Sequence, residues 1–527
     1  MKLLRALFQV LLSTVLLLLL LEMLCRAAGL ATGANSYIES IILREGLSPR
    51  KPAGEFRVFT YGESTMHGSH YGPASNPARW LEAYLKDFLP HKKIRVVNFS
   101  RMGQGSDFIK RSVLSTLVYK PDVAIVYAGH NFFLPGNRVD QVRAKEEKLS
   151  FKFKLWIRES VLISSAIRLG IQGKLERKKG AEEDVVGAQV IETGPSGIGP
   201  ENYVTPHTPY YKETLDHHLR NFDIITERAA AKHVPLIFFK PAANLKDFPP
   251  GCSVHRRALT PEQEAAWKDN YERGKSAQTS GDWGAALQFY EKAYAVDPTY
   301  ADLVYRLAQV SLKNGNLDES RERFEEAKNE DCLIVRAPKE VQDYFSNLAQ
   351  GGKAFVIPTE KLLVSEAPGG ILGDPIVEDN VHFSIKGHAI LGRALAQKIA
   401  ERGWIAPKPE WRFEAERSFE EMARELGVTE DLIFSAFLKC SSYFGSRYDS
   451  RILYAKKALE IRPEDPLGLR HLAWSYWLQG DRSKALNVYE KLGKVSPDQL
   501  QEVFRVRSEV QQAFTEKKHL SLPPTPR

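Results

Sequence analysis

Ser64 lies two residues beyond Gly62, which ends the apolar segment Val58–Tyr61. A serine hydroxyl is a weak nucleophile until a neighbouring base takes its proton. That base needs a carboxylate to orient it, and the oxyanion that forms on the substrate needs hydrogen-bond donors. The chain offers a base and a carboxylate together, because Asp379 and His382 lie close to each other in EDNVHFS. These residue types predict nucleophilic catalysis at Ser64.

Two other segments offer donors for an oxyanion. Gly103 follows a strand-like segment in VVNFSRMGQGS, where backbone N–H groups can face a site. Asn131 follows another such segment in VYAGHNFF, and its side-chain amide is a second donor. Taken singly, a serine that caps a helix or an asparagine in a turn is the simpler interpretation. The combination of all these groups favours catalytic roles.

Three more residues are candidates for substrate contacts. His130 lies near the end of the third predicted strand, Asn244 lies in the loop after the fourth, and Arg336 lies in LIVRAPKE. Arg336 could bind an anionic group, and a surface arginine is an equal alternative; an asparagine in a loop such as Asn244 usually makes a turn. His67 and His70 could form a metal cluster with His130, but substrate contact or packing is favoured. We therefore expect no metal site.

Strand-like and helical segments alternate around these residues, and that alternation predicts a doubly wound parallel sheet. The predicted strands are EFRVFTYG, KKIRVVNFS, PDVAIVYAGHN, VPLIFFKPA and GKAFVIPTE. Ligands bind such sheets outside the carboxyl ends of the strands. Ser64 and Gly103 follow a predicted strand and Asn131 ends one, so we expect all three at this edge.

Helical repeats interrupt the α/β pattern and also follow it. Within residues 267–332, Gly281 and Gly315 are 34 residues apart, and Tyr290 corresponds to Phe324. This period, with its small and aromatic positions, resembles the tetratricopeptide repeat. A similar pattern returns at Leu469–Pro497. The repeats are therefore predicted as an insertion and as a C-terminal extension. We expect the insertion to form a cap beside the pocket, and the C-terminal repeats could bind a protein partner.

These patterns predict seven regions. They are an N-terminal anchor at 1–30, a linker at 31–54, the first part of the α/β domain at 55–250, a helical insertion at 251–349, the second part of the α/β domain at 350–405, a C-terminal helical region at 406–512 and a tail at 513–527. Cys252 and Cys332 flank the repeats of the insertion. They could form a disulfide in an oxidising compartment, and two buried thiols are an equal alternative.

The segment Leu3–Leu24 is nearly long enough to cross a bilayer as a helix. Lys2 and Arg5 precede most of it, which predicts a cytoplasmic N-terminus and an exported domain. We expect a single-pass protein of the cell inner membrane with its catalytic domain on the periplasmic side; a cleaved signal peptide is the alternative. The net charge of +8 suits anionic headgroups or an acidic glycan, and no nucleic-acid motif accompanies it.

The segments GES, NFSRMG, AGHN and DNVH occur in this order. They resemble the four sequence blocks of the SGNH (GDSL-like) hydrolase superfamily, and the chain is similar to a bacterial subgroup joined to tetratricopeptide repeats. The resemblance implies a flavodoxin-like three-layer α/β/α sandwich and no cofactor. It implies that Ser64 is the nucleophile, that His382 is the base and Asp379 its orienting carboxylate, and that the N–H groups of Ser64 and Gly103 form an oxyanion hole with Asn131.

The sequence departs from the superfamily pattern at Glu63, where aspartate is usual, and at Phe132, where an acidic residue is usual. Neither departure removes a catalytic group. The resulting expectation is a membrane-anchored, exported serine ester hydrolase or O-acyltransferase. Its substrates would be acyl esters, with acetyl favoured, of a cell-envelope glycan or lipid. The alternative is a catalytically inert hydrolase-like domain in a repeat-based protein-interaction or assembly factor.

Overall fold

The computed structural model of the chain describes residues 10, 12–18, 20–23, 36–148, 198–443 and 447–520. These residues divide into two compact units. The first unit contains the described residues up to 69 together with 76–148 and 203–418. The second contains 70–75, 198–202 and the described residues from 419 onwards.

A sheet of five parallel strands forms the centre of the first unit. The strands are β1 Glu55–Gly62, β2 Lys93–Asn98, β3 Val123–Tyr127, β4 Leu236–Lys240 and β5 Phe355–Pro358. Their order in the sheet is β2-β1-β3-β4-β5, and all neighbours run parallel. This is the strand order of flavodoxin-like doubly wound sheets. The prediction of a parallel α/β sheet is therefore confirmed.

Helices connect these strands and continue into the insertion. They are α1 Ser36–Arg44, α2 Ser64–His67, α3 Pro77–Phe88, α4 Ser106–Thr116, α5 Val139–Glu147, α6 Pro209–Ala231, α7 Pro261–Ser280, α8 Trp283–Val296, α9 Ala301–Lys313, α10 Leu317–Asn329, α11 Lys339–Gln350, α12 Thr359–Leu363 and α13 Ile385–Arg402. Phe59 and Tyr61 of β1 pack with α4, α6 and α11 in one apolar core. Helices α3 and α13 pack together outside that core, against the opposite face of the sheet.

The helix α1 differs from the sequence prediction, which placed residues 31–54 in a linker. Ile38, Ile41 and Ile42 are almost fully buried in the same core as β1. Their spacing puts all three on one face of the helix, which packs beside the sheet. The region from residue 36 onwards therefore belongs to the α/β domain and is not a linker.

The insertion contains two helix pairs, α7–α8 and α9–α10, at the places that the 34-residue period predicts. Gly281 and Gly315 end the first helix of each pair with φ of +83° and +82°, a conformation that favours glycine. Tyr290 is fully buried in the core of the first pair, against Gly274. Cys252 and Cys332 form a disulfide that joins the two ends of these repeats.

The second unit is helical. Its helices are α14 Phe419–Glu425, α15 Glu430–Tyr443, α16 Tyr448–Ile461, α17 Pro466–Gln479, α18 Arg482–Val495, α19 Pro497–Val506 and α20 Ser508–Leu520. The pair α17–α18 shows the predicted repeat features, because Gly480 has a φ of +94° and Tyr489 is fully buried. The predicted boundary at 406 differs from the structure, since Trp411 and Phe413 pack on Phe88 in the first unit.

The predicted anchor at 1–30 lies largely outside the described residues. Among the residues that are described, none of the helices combines the length and the apolar character needed to span a membrane.

Candidate active site

The structure brings Ser64, His382 and Asp379 together in a line. Ser64 begins the short helix α2 immediately beyond the carboxyl end of β1, and His382 lies just before α13. The Oγ atom of Ser64 lies 2.6 Å from Nε2 of His382. The Nδ1 atom of His382 lies 2.5 Å from Oδ2 of Asp379. A hydroxyl, an imidazole and a carboxylate in this order can move a proton away from the hydroxyl.

The carboxylate of Asp379 is fully buried and is held by its own loop. Its Oδ1 atom accepts the N–H groups of Val381 and His382, both at 2.8 Å. Its Oδ2 atom is therefore directed to the imidazole. The loop is also tied to α2, because the Thr65 hydroxyl donates to the Val381 carbonyl at 3.3 Å. These contacts fix the orientation of the imidazole against Ser64.

The loops that carry Gly103 and Asn131 lie at the same edge of the sheet as Ser64. Strands β2 and β3 flank β1, and each loop follows the carboxyl end of its strand. Gly103 has a φ of +68°, in the left-handed region that favours glycine. The side chain of Asn131 donates from Nδ2 to the Gln104 carbonyl at 3.1 Å. One hydrogen of that amide thus links the two loops, and the amide carries a second hydrogen.

Glu63, the residue before Ser64, holds the loop after β3. Its carboxylate accepts three backbone N–H groups, from Gly129 at 3.1 Å, His130 at 3.0 Å and Asn131 at 3.3 Å. Its side chain is fully buried, and burial raises the pKa of Glu63 to about 7 against the lowering effect of these three bonds. The sequence marked Glu63 only as a departure from aspartate. The position of an acidic residue directly before Ser64 was the feature from which its structural role could have been predicted.

Asn137 is a further residue that could not be selected from residue type or spacing. Its Nδ2 atom donates to the Gly103 carbonyl at 3.1 Å and to the Asn131 carbonyl at 2.9 Å. Its own carbonyl accepts Nε2–H of His218 at 3.0 Å. It lies in an irregular segment, LPGN, without periodicity or a recognisable motif. Only side-chain distances show that it contacts both loops.

His130 is almost completely buried next to Asn131. Its Nδ1 atom accepts the N–H of Ala337 at 3.0 Å, which places the ring proton on Nε2. Among the described residues, that Nε2 has no hydrogen-bond partner. Burial, and next the nearby His382, lower the pKa of His130 to about 3. His130 is therefore a neutral donor close to the acid–base pair.

Asn244 is buried, and its amide is used within the protein. Its Nδ2 atom donates to the Val377 carbonyl at 3.0 Å, and its Oδ1 atom accepts the N–H of Asp247 at 2.9 Å. Its backbone N–H donates to the Asn380 carbonyl at 2.9 Å. The structure thus gives Asn244 a role in holding the loop of Asp379, in place of the predicted substrate contact.

Arg336 also differs from its predicted role. The guanidinium is buried and bonded to Asp331 Oδ2 at 3.2 Å, and it donates to the carbonyls of Asn244 at 3.1 Å and Phe248 at 2.7 Å. It also lies over the Phe248 ring, 5.2 Å from its centroid. These contacts join the segment that returns from the insertion to the loop after β4. The sequence identified the correct loop but could not show that its arginine points into the protein.

A second group of titratable side chains lies near α4 and α6. Atoms of Asp107, His217 and His218 lie within 4.8 Å of one another. They are hydrogen-bonded to protein atoms, with Asp107 Oδ2 at 2.8 Å from His217 Nε2 and His218 Nδ1 at 2.7 Å from the Ser106 hydroxyl. The nearby His217 holds the pKa of Asp107 below its usual range, against the effect of burial. The group is a hydrogen-bonded network, and its donors and acceptors serve the fold.

One comparison with known protein families concerns the helical insertion. A family model for the tetratricopeptide repeat matches residues 277–331, which confirms the repeat prediction in the insertion. No curated protein matches the sequence significantly.

Several solved structures are similar in part. A GDSL-like lipase from Bacteroides thetaiotaomicron is 10% identical, with 69% of this chain and 98% of that chain covered and a TM-score of 0.30. An acetylxylan esterase from Geobacillus stearothermophilus is 12% identical, with 65% and 94% covered and a TM-score of 0.27. A lipase/acylhydrolase from Enterococcus faecalis is 13% identical, with 69% and 100% covered and a TM-score of 0.25.

These identities and TM-scores are low, so the description of the site rests on its own distances and on the sheet topology. The roles of the individual site residues stay predictions. The chain is thus similar in part to a GDSL-like lipase, an acetylxylan esterase and a lipase/acylhydrolase, and residues 277–331 match the tetratricopeptide-repeat family.

Proposed function

We propose that the chain is a serine ester hydrolase or O-acyltransferase that works through an acyl-serine intermediate. The observation that carries this proposal is the line from Ser64 Oγ to His382 Nε2 at 2.6 Å and from His382 Nδ1 to Asp379 Oδ2 at 2.5 Å. A buried carboxylate fixes the imidazole with its proton on Nδ1, which leaves Nε2 to accept the serine proton. No cofactor takes part.

In the first half-reaction, Ser64 Oγ attacks the ester carbonyl carbon while His382 Nε2 takes the hydroxyl proton. The carbonyl π electrons move to oxygen, and the N–H groups of Ser64 and Gly103 and the second amide hydrogen of Asn131 would stabilise that oxyanion. When the oxyanion collapses, the bond to the leaving alcohol breaks. His382 then gives its proton to the alcohol, and the acyl group stays on Ser64.

In the second half-reaction, water or a sugar hydroxyl gives its proton to His382 and attacks the acyl-serine. Collapse of the second oxyanion returns the proton to Ser64. Water as the acceptor makes the protein a hydrolase, and a sugar hydroxyl makes it a transferase. The exclusion of water from the acyl-enzyme decides between these outcomes.

His130 is the substrate contact that the geometry supports best among the predicted ones. Its Nε2–H donor is buried, and its ring is near His382. Because His130 stays neutral at physiological pH, it would bind an uncharged oxygen acceptor, such as an ester or a sugar oxygen. Asn244 and Arg336 are left out of the proposed substrate pocket, since their polar groups hold loops of the protein.

We further propose export and anchoring in the cell inner membrane, with the catalytic unit on the periplasmic side. The apolar segment Leu3–Leu24, with Lys2 and Arg5 at its N-terminal end, supports this. The disulfide between Cys252 and Cys332 also supports it, since disulfides persist in oxidising compartments. The net charge of +8 favours an anionic envelope glycan or lipid as the substrate. Its acyl esters, foremost acetyl esters, are the proposed substrates. Extraction of membranes with carbonate tests the anchor, because a peripheral protein would be released.

Fluorophosphonate labelling followed by mass-spectrometric assignment tests the catalytic proposal. We expect a single adduct on Ser64 and no adduct on Ser106. Ser106 is a matched internal control, because its hydroxyl also lies beside a histidine nitrogen, at 2.7 Å, but is fully buried. The Ser64→Ala variant should lose turnover of short acyl esters. Full activity of that variant, or an unlabelled Ser64 in the folded protein, would overturn the proposal and favour an inert domain in an assembly factor.

A panel of acyl donors, assayed with and without sugar acceptors, then separates the two reaction classes. A transferase releases the leaving alcohol faster when the acceptor is present, and acylated sugar accumulates. A hydrolase shows the same rate of alcohol release in both conditions and yields free acid.

A further inference from the structure

The carboxamide of Asn137 joins the two loops that carry the proposed oxyanion donors. Its Nδ2 atom has two hydrogens, and each meets a carbonyl: that of Gly103 at 3.1 Å and that of Asn131 at 2.9 Å. Because both partners are acceptors, only the nitrogen end of the amide can face them. The orientation of this side chain is thus fixed by its contacts.

These two carbonyls belong to the residues whose geometry the oxyanion depends on. Gly103 would present its own N–H, and its backbone adopts a φ of +68°. Asn131 would present its side-chain amide, whose other hydrogen goes to Gln104 in the loop of Gly103 at 3.1 Å. The same two loops are therefore connected twice, directly by the bond from Asn131 to Gln104 and indirectly through Asn137, which bonds to both loops.

Asn137 is itself held by the protein interior. The Nε2–H group of His218 donates to the carbonyls of Asn137 at 3.0 Å and Phe132 at 3.1 Å, and Nδ1 of His218 accepts the Ser106 hydroxyl at 2.7 Å. Burial lowers the pKa of His218 to about 4, so the ring is neutral and keeps this single tautomer. At Gly105, a Cβ atom would lie 3.1 Å from Cγ of Asn137, so the loop approaches Asn137 closely.

We propose that Asn137 is a positioning residue of the oxyanion hole, which sets the separation of the Gly103 N–H and the Asn131 amide. This inference rests on the proposed function. Asn137 does not touch the reacting atoms and acts through the two loops. Its loss would weaken binding of the transition state while leaving binding of the ground-state ester nearly unchanged, because the oxyanion forms only in the transition state.

The Asn137→Asp variant tests the proposal on the full-length protein. Aspartate has nearly the same shape but donates no hydrogen bond, and it places negative charge against two carbonyl oxygens. We expect kcat for a short acyl ester to fall on the order of 10²-fold with KM changed less than about 3-fold, since loss of a direct oxyanion donor costs roughly 10²–10³-fold. Asn270→Asp, at a half-buried position of helix α7 where Nδ2 also donates to a carbonyl, is the matched control and should leave kcat unchanged.

A double-mutant cycle with Asn131→Ala separates positioning from general destabilisation. If Asn137 acts through Asn131, its substitution costs much less in the Asn131→Ala background than in the wild type. Additive losses, or a rise in KM at constant kcat, would contradict the proposal. If Asn137→Asp does not fold, as measured by thermal unfolding, Asn137→Ala takes its place in the cycle, because it removes the donors without adding charge.

The pH dependence of kcat/KM supplies a readout that a purely structural role would not share. This profile is measured in the Asn137→Ala variant, which adds no charge. His382 and Asp379 are untouched, so the acidic limb should keep its midpoint while the plateau falls. A displaced midpoint would show that the substitution disturbs the acid–base pair and would overturn the proposal. Absence of Ser64 labelling in the wild type would instead refute the proposed function, so the two failures are distinguishable.

Discussion

Asp379 divides two tasks between its two oxygen atoms. Oδ1 accepts two N–H groups of its own loop, and Oδ2 lies 2.5 Å from Nδ1 of His382. One oxygen therefore fixes the position of the side chain, and the other fixes the tautomer of the imidazole. The two roles can be separated by a substitution that keeps the side chain in its position but imposes the other tautomer on the imidazole.

The Asp379→Asn variant is such a substitution. The amide oxygen can still accept the N–H groups of Val381 and His382, while the amide nitrogen would face Nδ1 and donate to it. His382 would then carry its proton on Nε2 and could not accept one from Ser64. We expect kcat to fall on the order of 10⁴-fold with little loss of stability, measured by ester turnover and thermal unfolding. A loss below tenfold would contradict the role of Asp379.

Glu63 predicts a pH dependence of stability. Because burial raises its pKa from 4.5 to about 7, the folded state binds the proton more tightly than the unfolded chain does. Its contribution to the free energy of unfolding is fully present below pH 4.5 and is lost as the pH rises to about 7, by roughly 3 kcal/mol. In urea unfolding, the Glu63→Gln variant should lack this decrease in the free energy of unfolding with rising pH. A slope that survives the substitution would assign the titration to another group.

At the residue scale, the sequence was sufficient for groups whose chemistry is distinctive. Ser64, Asp379 and His382 could be proposed from residue type and short spacing, and the structure places them in line. Asn244 and Arg336 were chosen for their loops, and their side chains turn out to bind carbonyls and carboxylates of the protein. The role of Asn137 could not be predicted, because it depends on where two distant loops present their carbonyl oxygens.

Among the elements, α3 and α13 approach each other closely on one face of the sheet. At Gly392 of α13, a Cβ atom would lie 2.6 Å from Cβ of Trp80 and 2.7 Å from the backbone nitrogen of Leu81. Backbone and a tryptophan Cβ cannot move aside as a flexible side chain can. The absence of a side chain at Gly392 therefore allows α13 to pack this close to α3.

The pair Gly392→Ala and Gly284→Ala tests this packing by thermal and denaturant unfolding. Gly392→Ala should lower the free energy of unfolding by about 1–3 kcal/mol, since it overpacks a close contact. Gly284 is a matched control on the exposed face of α8, where the nearest atom to an added Cβ is 3.7 Å away. Alanine there should be neutral or stabilise by up to about 1 kcal/mol, because it favours the helix. Equal effects at both sites would show that α13 tolerates a wider separation.

The sequence predicted the strands well because buried parallel strands are continuous apolar runs. It missed α1, whose three isoleucines pack on the sheet core although the surrounding residues read as a linker. It also placed the C-terminal boundary too early, since the short stretch with Trp411 and Phe413 covers Phe88. Both differences concern short segments whose burial is decided by their neighbours in space and not by their own periodicity.

On the scale of the whole molecule, one covalent bond closes the insertion. Cys252 and Cys332 are 80 positions apart, and their bond joins the two ends of the repeat segment. Cross-linking a loop of this length is expected to stabilise the folded state by about 4 kcal/mol, because it lowers the conformational entropy of the unfolded chain. The repeats and the loops they return to should therefore be sensitive to reduction.

Treatment with dithiothreitol should lower the unfolding temperature and reduce ester turnover, because the returning segment supports His130. The Cys252→Ala/Cys332→Ala variant should match the reduced wild type and show no further change with reductant. A reductant effect that persists in this variant would have to come from elsewhere in the chain.

The segment that leaves the repeats contacts the reacting loops at two points. Val335 accepts a hydrogen bond from Asn380, beside Asp379, at 2.8 Å, and Ala337 donates one to His130 at 3.0 Å. A partner protein that bound the inserted helices and displaced this segment would have to break or stretch those two hydrogen bonds. Because the two equilibria would then be linked, such a partner would bind the acylated and the acyl-free protein with different affinities. The ratio of these affinities would equal the factor by which the partner changed the acylation equilibrium. Acylation of Ser64 would then change the affinity for a partner at the inserted helices, a surface that does not contact the ester.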